Sequence, residues 1–188
     1  MKTLKEYDVL RLIEHNQICY VSSDRVKGSI MATWMKYHPT ISKERLFRWI
    51  GQLVKQLICI HKCRGNPSYQ YVNPYSILIS EEGNLCLLDV GSASNQEMIK
   101  IAEKKNIRKY FCPLDIENGE INDEETDLYG LGKTIQYLLN YIEVVPRFKK
   151  AEERIIQKMI SKCIYLDRRN RFYKISDIQK SLLDFQIR

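Results

Sequence analysis

The chain has 188 residues, of which 44% are hydrophobic and 28% charged, and its formal net charge is +7. That length and balance suit one folded domain with its own core, and 8 glycines and 5 prolines are too few for a collagenous or low-complexity chain. No apolar run approaches the roughly 20 residues that span a bilayer, and Met1 to Glu6 lead into no apolar signal core, so a cytoplasmic location without a membrane partner is expected.

Two short β-prone runs, Val9–Ile13 and Gln17–Ser22, are separated by His15 and Asn16 and predict a hairpin. Gly28 is expected to end this sheet-like portion. Ile30 to Met35 then predict a short helix, interrupted by Pro39. Ser42 is placed as the N-cap of a long helix whose Leu46, Ile50, Leu53, Leu57 and Ile60 recur at spacings of four and three. Phe47, Trp49 and Val54 widen that stripe, as suits a helix central to a core. After the Asn73-Pro74 loop, Ile77–Ile79, the turn Glu81–Asn84 and Leu85–Leu88 read as a second hairpin. A helix is expected from around Asp127 with Leu128, Leu131, Ile135, Leu138 and Ile142 on one face. Another carries Ile155, Ile156, Met159, Ile160 and Cys163, and a last one, capped by Ser176, carries Ile178, Leu182, Leu183 and Phe185. The fold class expected is mainly α with small β-hairpins, an α+β arrangement without an internal boundary.

Six cysteines, Cys19, Cys59, Cys63, Cys86, Cys112 and Cys163, lie mostly among apolar neighbours and read as reduced thiols. Cys59, His61 and Cys63 are clustered, but His61 leaves the helix face that the two cysteines share, and structural zinc needs four converging ligands. No metal site is assigned there. His15, His38 and His61 have no companion suited to a nucleophilic or relay site, and no catalysis is assigned to them. Lys100, Lys104, Lys105, Arg108 and Lys109 form a basic segment, and Asp115 to Asp127 an acidic one. Without an interleaved aromatic motif, a solvated face is the preferred reading over nucleic-acid binding.

The densest information lies in Tyr69-Gln70-Tyr71-Val72-Asn73-Pro74-Tyr75-Ser76, followed by Asp89-Val90-Gly91. These segments resemble the catalytic loop, H-R-D-x-K-x-x-N, and the metal-binding D-F-G turn of eukaryotic-type protein kinases. Asp127-Leu128-Tyr129-Gly130-Leu131-Gly132 is similar to the D-x-x-S-x-G start of the family's central helix, whose Asp braces the catalytic loop. Phe111-Cys112-Pro113-Leu114 sits where A-P-E falls, and Asp167 to Arg171 resembles D-P-x-x-R. In the family that Arg pairs with the A-P-E Glu. The position holds Leu114 here, with Asp115 beside it as a substitute, so Arg171 is carried over as structural. Four motifs in this order, with two amphipathic helices between them, are far more specific than any alone.

The resemblance covers Val9 to the end and implies the carboxy-terminal lobe of a kinase-like fold such as that of bacterial eukaryotic-type Ser/Thr kinases. Residues 7–28 correspond to a remnant small-lobe hairpin and hinge, with Gly28-Ser29-Ile30 at the hinge, and residues 29–188 to the helical lobe. It also implies what is degenerate. The base position holds Tyr71, the Lys position Asn73 and the magnesium Asn position Ser76. A phenol with a pKa of about 10 is a poor base at neutral pH. No G-x-G-x-x-G covers phosphates, no V-A-I-K-like strand supplies a lysine, and the run ahead of the helical body is too short for the rest of a small lobe.

The expectation is therefore a pseudokinase without catalytic residues, cofactor or bound ATP and magnesium. It would act as a scaffold or regulatory module that binds a protein, or a second copy, through its exposed upper face. Asp89 is the remnant metal candidate, its plain role being to accept backbone hydrogen bonds in its own turn. Asp89, Gly91, Asp127, Gly132 and Arg171 are the structural motif residues. Tyr69, Tyr71 and Tyr75, with Tyr110 as a fourth candidate, either stack on a ligand or a partner peptide or plug the former site with their hydroxyls in water. Two rivals remain: a split kinase whose small lobe comes from another chain, and a basic helical protein that binds nucleic acid.

Overall fold

The computed structural model describes residues 4–16, 18–63, 68–104, 107–112, 123–165, 168–170, 172 and 174–186. Strands β1 (Lys5–His15) and β2 (Ile18–Ile30) form a long antiparallel ribbon. Helix α1 (Met31–Trp34) and a 3₁₀ turn follow, then β3 (Thr40–Ser42) and the 20-residue helix α2 (Lys43–Lys62). Strands β4 (Ile77–Ser80) and β5 (Leu85–Leu87) precede helices α3 (Gln96–Lys104), α4 (Ile107–Phe111) and α5 (Asp123–Tyr141). Strand β6 (Glu143–Val145) and helices α6 (Lys150–Ile164) and α7 (Ile175–Gln186) complete the order.

Helix α2 is the axis of the core because its apolar positions return every three or four residues. Leu46, Trp49, Ile50, Leu53, Val54, Leu57 and Ile60 are buried, each contributing about 1.5–3 kcal/mol if fully removed from water. Ser42 starts the helix by accepting the Arg45 N–H at 3.2 Å. Helices α5, α6 and α7 pack around the same cluster through Leu131, Ile135, Ile156, Ile160 and Ile178. Gly132 lets α5 and α6 approach closely, since a Cβ there would lie 2.5 Å from that of Cys163.

The two expected hairpins are not separate. They belong to one four-stranded sheet of order β1-β2-β4-β5, because β2 runs past Gly28 and pairs Gly28, Ser29 and Ile30 with Ser80, Ile79 and Leu78. The stretch expected as a hinge is thus β-paired. Gly28 does not end the strand but allows the close pairing: a Cβ there would stand 2.3 Å from the Ile79 carbonyl oxygen. Val9 also bridges Leu88, which curls the sheet back on itself.

Other expectations shift. Helix α5 begins at Asp123, so Asp127 lies in its second turn rather than at its start. Ser176 is inside α7 rather than its cap, and Asp177 accepts the Lys174 N–H instead. The parallel pair β3–β6 and helices α3 and α4 were not foreseen. Arg171, Asp167, Pro113, Leu114 and Asp115 lie outside the described residues, so their expected pairing receives no account. Among the described residues, no helix is long and apolar enough to cross a membrane.

Candidate functional site

The loop at Ser68–Ser76 runs from the end of α2 to β4, and α5 holds it from beneath. Asp127 is wholly buried. Its two carboxylate oxygens accept the N–H groups of Tyr69 and Gln70, each at 2.7 Å. Those bonds fix Gln70 at φ +61°, a conformation that L side chains adopt sparingly. Gly130 completes the seat, because a Cβ there would come within 2.7 Å of the Val72 carbonyl oxygen.

His61, to which no role was assigned, belongs to the same brace. Its Nε2 lies 2.8 Å from Asp127 Oδ2, and its Nδ1 lies 3.4 Å from Glu124 Oε1. Burial alone would lower its pKa, but the hydrogen bond and charge of Asp127, followed by the charge of Glu124, outweigh burial and raise it. The histidine was read without carboxylate companions because Asp127 is 66 residues away in sequence.

The side chains at the degenerate positions bond inward. Asn73 donates from Nδ2 to the Tyr71 carbonyl at 2.8 Å and accepts the Tyr75 N–H at 2.8 Å. Ser76 Oγ accepts the Asn73 N–H at 3.2 Å and bonds back to the Tyr71 carbonyl. Both residues are buried. Tyr69 is buried too, and its hydroxyl donates to the Leu88 carbonyl at 2.8 Å, not to water as the plug reading expected. Burial pushes that hydroxyl's pKa well above the usual range.

Tyr71 and Val72 line a small pocket with Leu88, Val90, Ile99 and Phe111. Its free space is about 30 Å³, room for about two waters. Tyr110 is on the outside of α4, its ring edge-on to Phe111 and under the Lys133 ammonium.

Asp89 sits at the end of β5, where its Oδ1 accepts the Gly91 N–H at 3.0 Å. Strand β1 covers this turn. The Asp89 N–H donates to the Asp8 carbonyl at 2.9 Å, and buried Asn95 donates to both the Asp8 and Asp89 carbonyls at 2.7 and 2.8 Å. Hydrogen bonds from Ser92, then Ser94, hold the Asp8 carboxyl below its usual range. Sequence reasoning passed over Asp8 and Asn95. The only local signal was the turn-forming Ser92-Ala93-Ser94-Asn95 run.

Among the described residues, no group of three or more His, Cys, Asp or Glu side chains could hold a metal ion. The thiols of Cys59 and Cys63 are free, and burial raises both, Cys59 to about 12.

No protein-family model matches the chain. It is 28% identical over 128 residues to a probable serine/threonine-protein kinase of Clostridium perfringens, covering 66% of this chain and 18% of that protein. It is 25% identical over 142 residues to a probable serine/threonine-protein kinase of Dictyostelium discoideum, covering 68% of this chain and 8% of the relative. The chain thus spans less than a fifth of the length of either relative. Among solved structures, the apo form of PpkA-294 superposes with a TM-score of 0.62 at 20% identity, covering 93% of this chain and 66% of the other. With the loop braced from the central helix and the Asp-Val-Gly turn beside it, these likenesses establish that the chain has the protein kinase-like fold.

Proposed function

We propose that this protein is a catalytically inactive kinase-like module that works by binding another polypeptide through its upper, β-ribbon face. The observation that carries this reading is the inward bonding of Asn73 and Ser76, which engages these two side chains with the loop's own backbone. Phosphoryl transfer depends on positioning and on charges aimed at the phosphates, and a loop whose Asn73 and Ser76 bond inward, with a phenol at Tyr71, offers neither.

The residues present do not fit a magnesium nucleotide. Magnesium is usually held by one or two carboxylates together with substrate phosphates. Here Asp89 stands as the turn's carboxylate, already accepting the Gly91 N–H. Strand β1 is hydrogen-bonded to the same turn, and the room beside Tyr71 is about 30 Å³.

A thermal-shift titration with magnesium and ATP tests this directly, since a ligand that binds only the native state raises the melting temperature by mass action. We expect no shift at millimolar ATP and no phosphate transferred to a generic protein substrate. A saturable, magnesium-dependent shift would favour the split-kinase alternative and end this reading.

A further inference from the structure

The edges of the main sheet are treated very differently. On β5, the outward N–H groups of Leu85 and Leu87 donate to the side-chain oxygens of Gln52 and Gln56 from α2, at 3.0 and 3.1 Å. Gln56 also donates to the Leu85 carbonyl at 2.9 Å. On β1, Asp8 is taken by Asp89 and Asn95, and charged Arg11 and Glu14 lie beyond. Among the described residues, strand β2 has no such closure from Ile18 to Ser23, the Arg25 N–H beyond being taken by the Asp24 carboxylate at 2.8 Å. It meets β4 only through Gly28, Ser29 and Ile30, so from Ile18 to Lys27 it has β1 on one side and no strand on the other among the described residues.

The chemistry of that open edge is unguarded. Natural edge strands carry charge, proline or a bulge to prevent pairing. Ile18-Cys19-Tyr20-Val21-Ser22-Ser23 has none of these, and charge begins only at Asp24, Arg25 and Lys27. The outer face adds an apolar patch at the ribbon tip, with Ile13 44%, Ile18 48% and Tyr20 51% exposed. Ile13 and Tyr20 are direct cross-strand partners.

We propose that the occupant of this edge is a second copy of the chain, its β2 antiparallel to the first about a two-fold axis through Val21. This rests on the binding-module reading and names its partner. The ribbon closes with His15 opposite Ile18 around a turn at Asn16, φ +48°. Backbone groups alternate between the two sides of a strand, so Cys19, Val21 and Ser23 turn theirs outward, in phase with Ser29 at β4.

With Val21 on the axis, Cys19 faces Ser23 of the second copy and Tyr20 faces Ser22, so the outward groups meet each other. The two Tyr20 rings become diagonal neighbours, within aromatic reach. The uncharged run pairs with itself, and no like charges are opposed. Placing the axis at Asp24 or Arg25 would instead set like charges face to face, which excludes those registers.

Sedimentation equilibrium on the full chain tests the assignment. We expect a mass of twice 22.3 kDa at tens of micromolar. Val21→Pro removes an outward N–H while sparing the ladder to β1, so it should give a monomer with unchanged circular dichroism. Val21→Lys, which places a charge on the edge, should do the same and covers the case in which proline disturbs the strand. Tyr165→Lys, at an exposed aromatic outside the sheet, should leave the dimer intact. A wild-type monomer at the highest concentration, or a dimer that survives both Val21 changes, overturns the proposal. Neither result touches the inactive-module reading, which stands or falls on ATP and magnesium.

Discussion

The loop at Tyr69–Ser76 and the ribbon of β1 and β2 are the two regions in which this chain handles polar backbone in opposite ways. In the loop, Asp127, Asn73, Ser76 and the Tyr69 hydroxyl bond the chain to itself, and little free room remains. In the ribbon, a six-residue uncharged run turns the backbone groups of Cys19, Val21 and Ser23 to an edge that no strand covers among the described residues. Internally bonded groups hold a shape but are not available to a ligand, whereas open ones are available and not yet matched. In a fold whose usual chemistry lies at the loop, this contrast is why the proposed recognition surface is the ribbon and not the loop.

The sharpest way to break the comparison is to disturb the loop's brace. Asp127→Ala would strand the buried Tyr69 N–H, the partly buried Gln70 N–H and the His61 ring. Each unmet buried group costs about 1–3 kcal/mol, so a loss of about 3–5 kcal/mol in urea unfolding is expected. A loss below about 1 kcal/mol would mean that the loop is not held from α5. Tyr69→Phe should act in the same direction but more weakly. It removes one donor and leaves the Leu88 carbonyl short of a partner, for about 1–2 kcal/mol. No change on removing the hydroxyl would show that Tyr69 serves the loop by packing alone.

Sequence periodicity made α2 legible, because an apolar stripe sustained through many turns has few other uses. Asp127 was legible as a brace only through the resemblance of Asp127–Gly132 to the D-x-x-S-x-G segment of protein kinases, and its place in the second turn of α5 was not legible. Helix starts depend on local capping that the acidic run before it blurs. His61 was missed because its meaning lies in carboxylates distant in sequence. The pair β3–β6 is three residues on each side, too short to carry a period and formed only when the chain closes. Gly28 resembled a terminator, since nothing in the sequence reveals that the Ile79 carbonyl presses against it. Of the candidate site, the positions were readable, while their partners were not. Asn73 and Ser76 looked like lost ligands, and only the folded loop shows them bonded to it.

The smallest effect expected is the pH dependence that His61 lends to the brace, and it separates electrostatic from purely steric support of the loop. Its folded-state pKa is raised above the ordinary 6.5 by Asp127 and Glu124, against the pull of burial. Protons are therefore bound more tightly by the folded chain than by the unfolded one. The stability gained is fully present below about pH 6.5 and is lost as pH rises through the folded value. Urea titrations across neutral pH should show the wild type losing stability relative to His61→Gln as pH increases, by less than Asp127→Ala removes. The raised Cys59 and Cys63 thiols stay neutral at the lower end of that range, and the two proteins differ only at the ring, so the difference between them reports the imidazole. Parallel curves would mean that the ring is neutral in the fold and that Asp127 holds the loop through the Tyr69 and Gln70 amides alone.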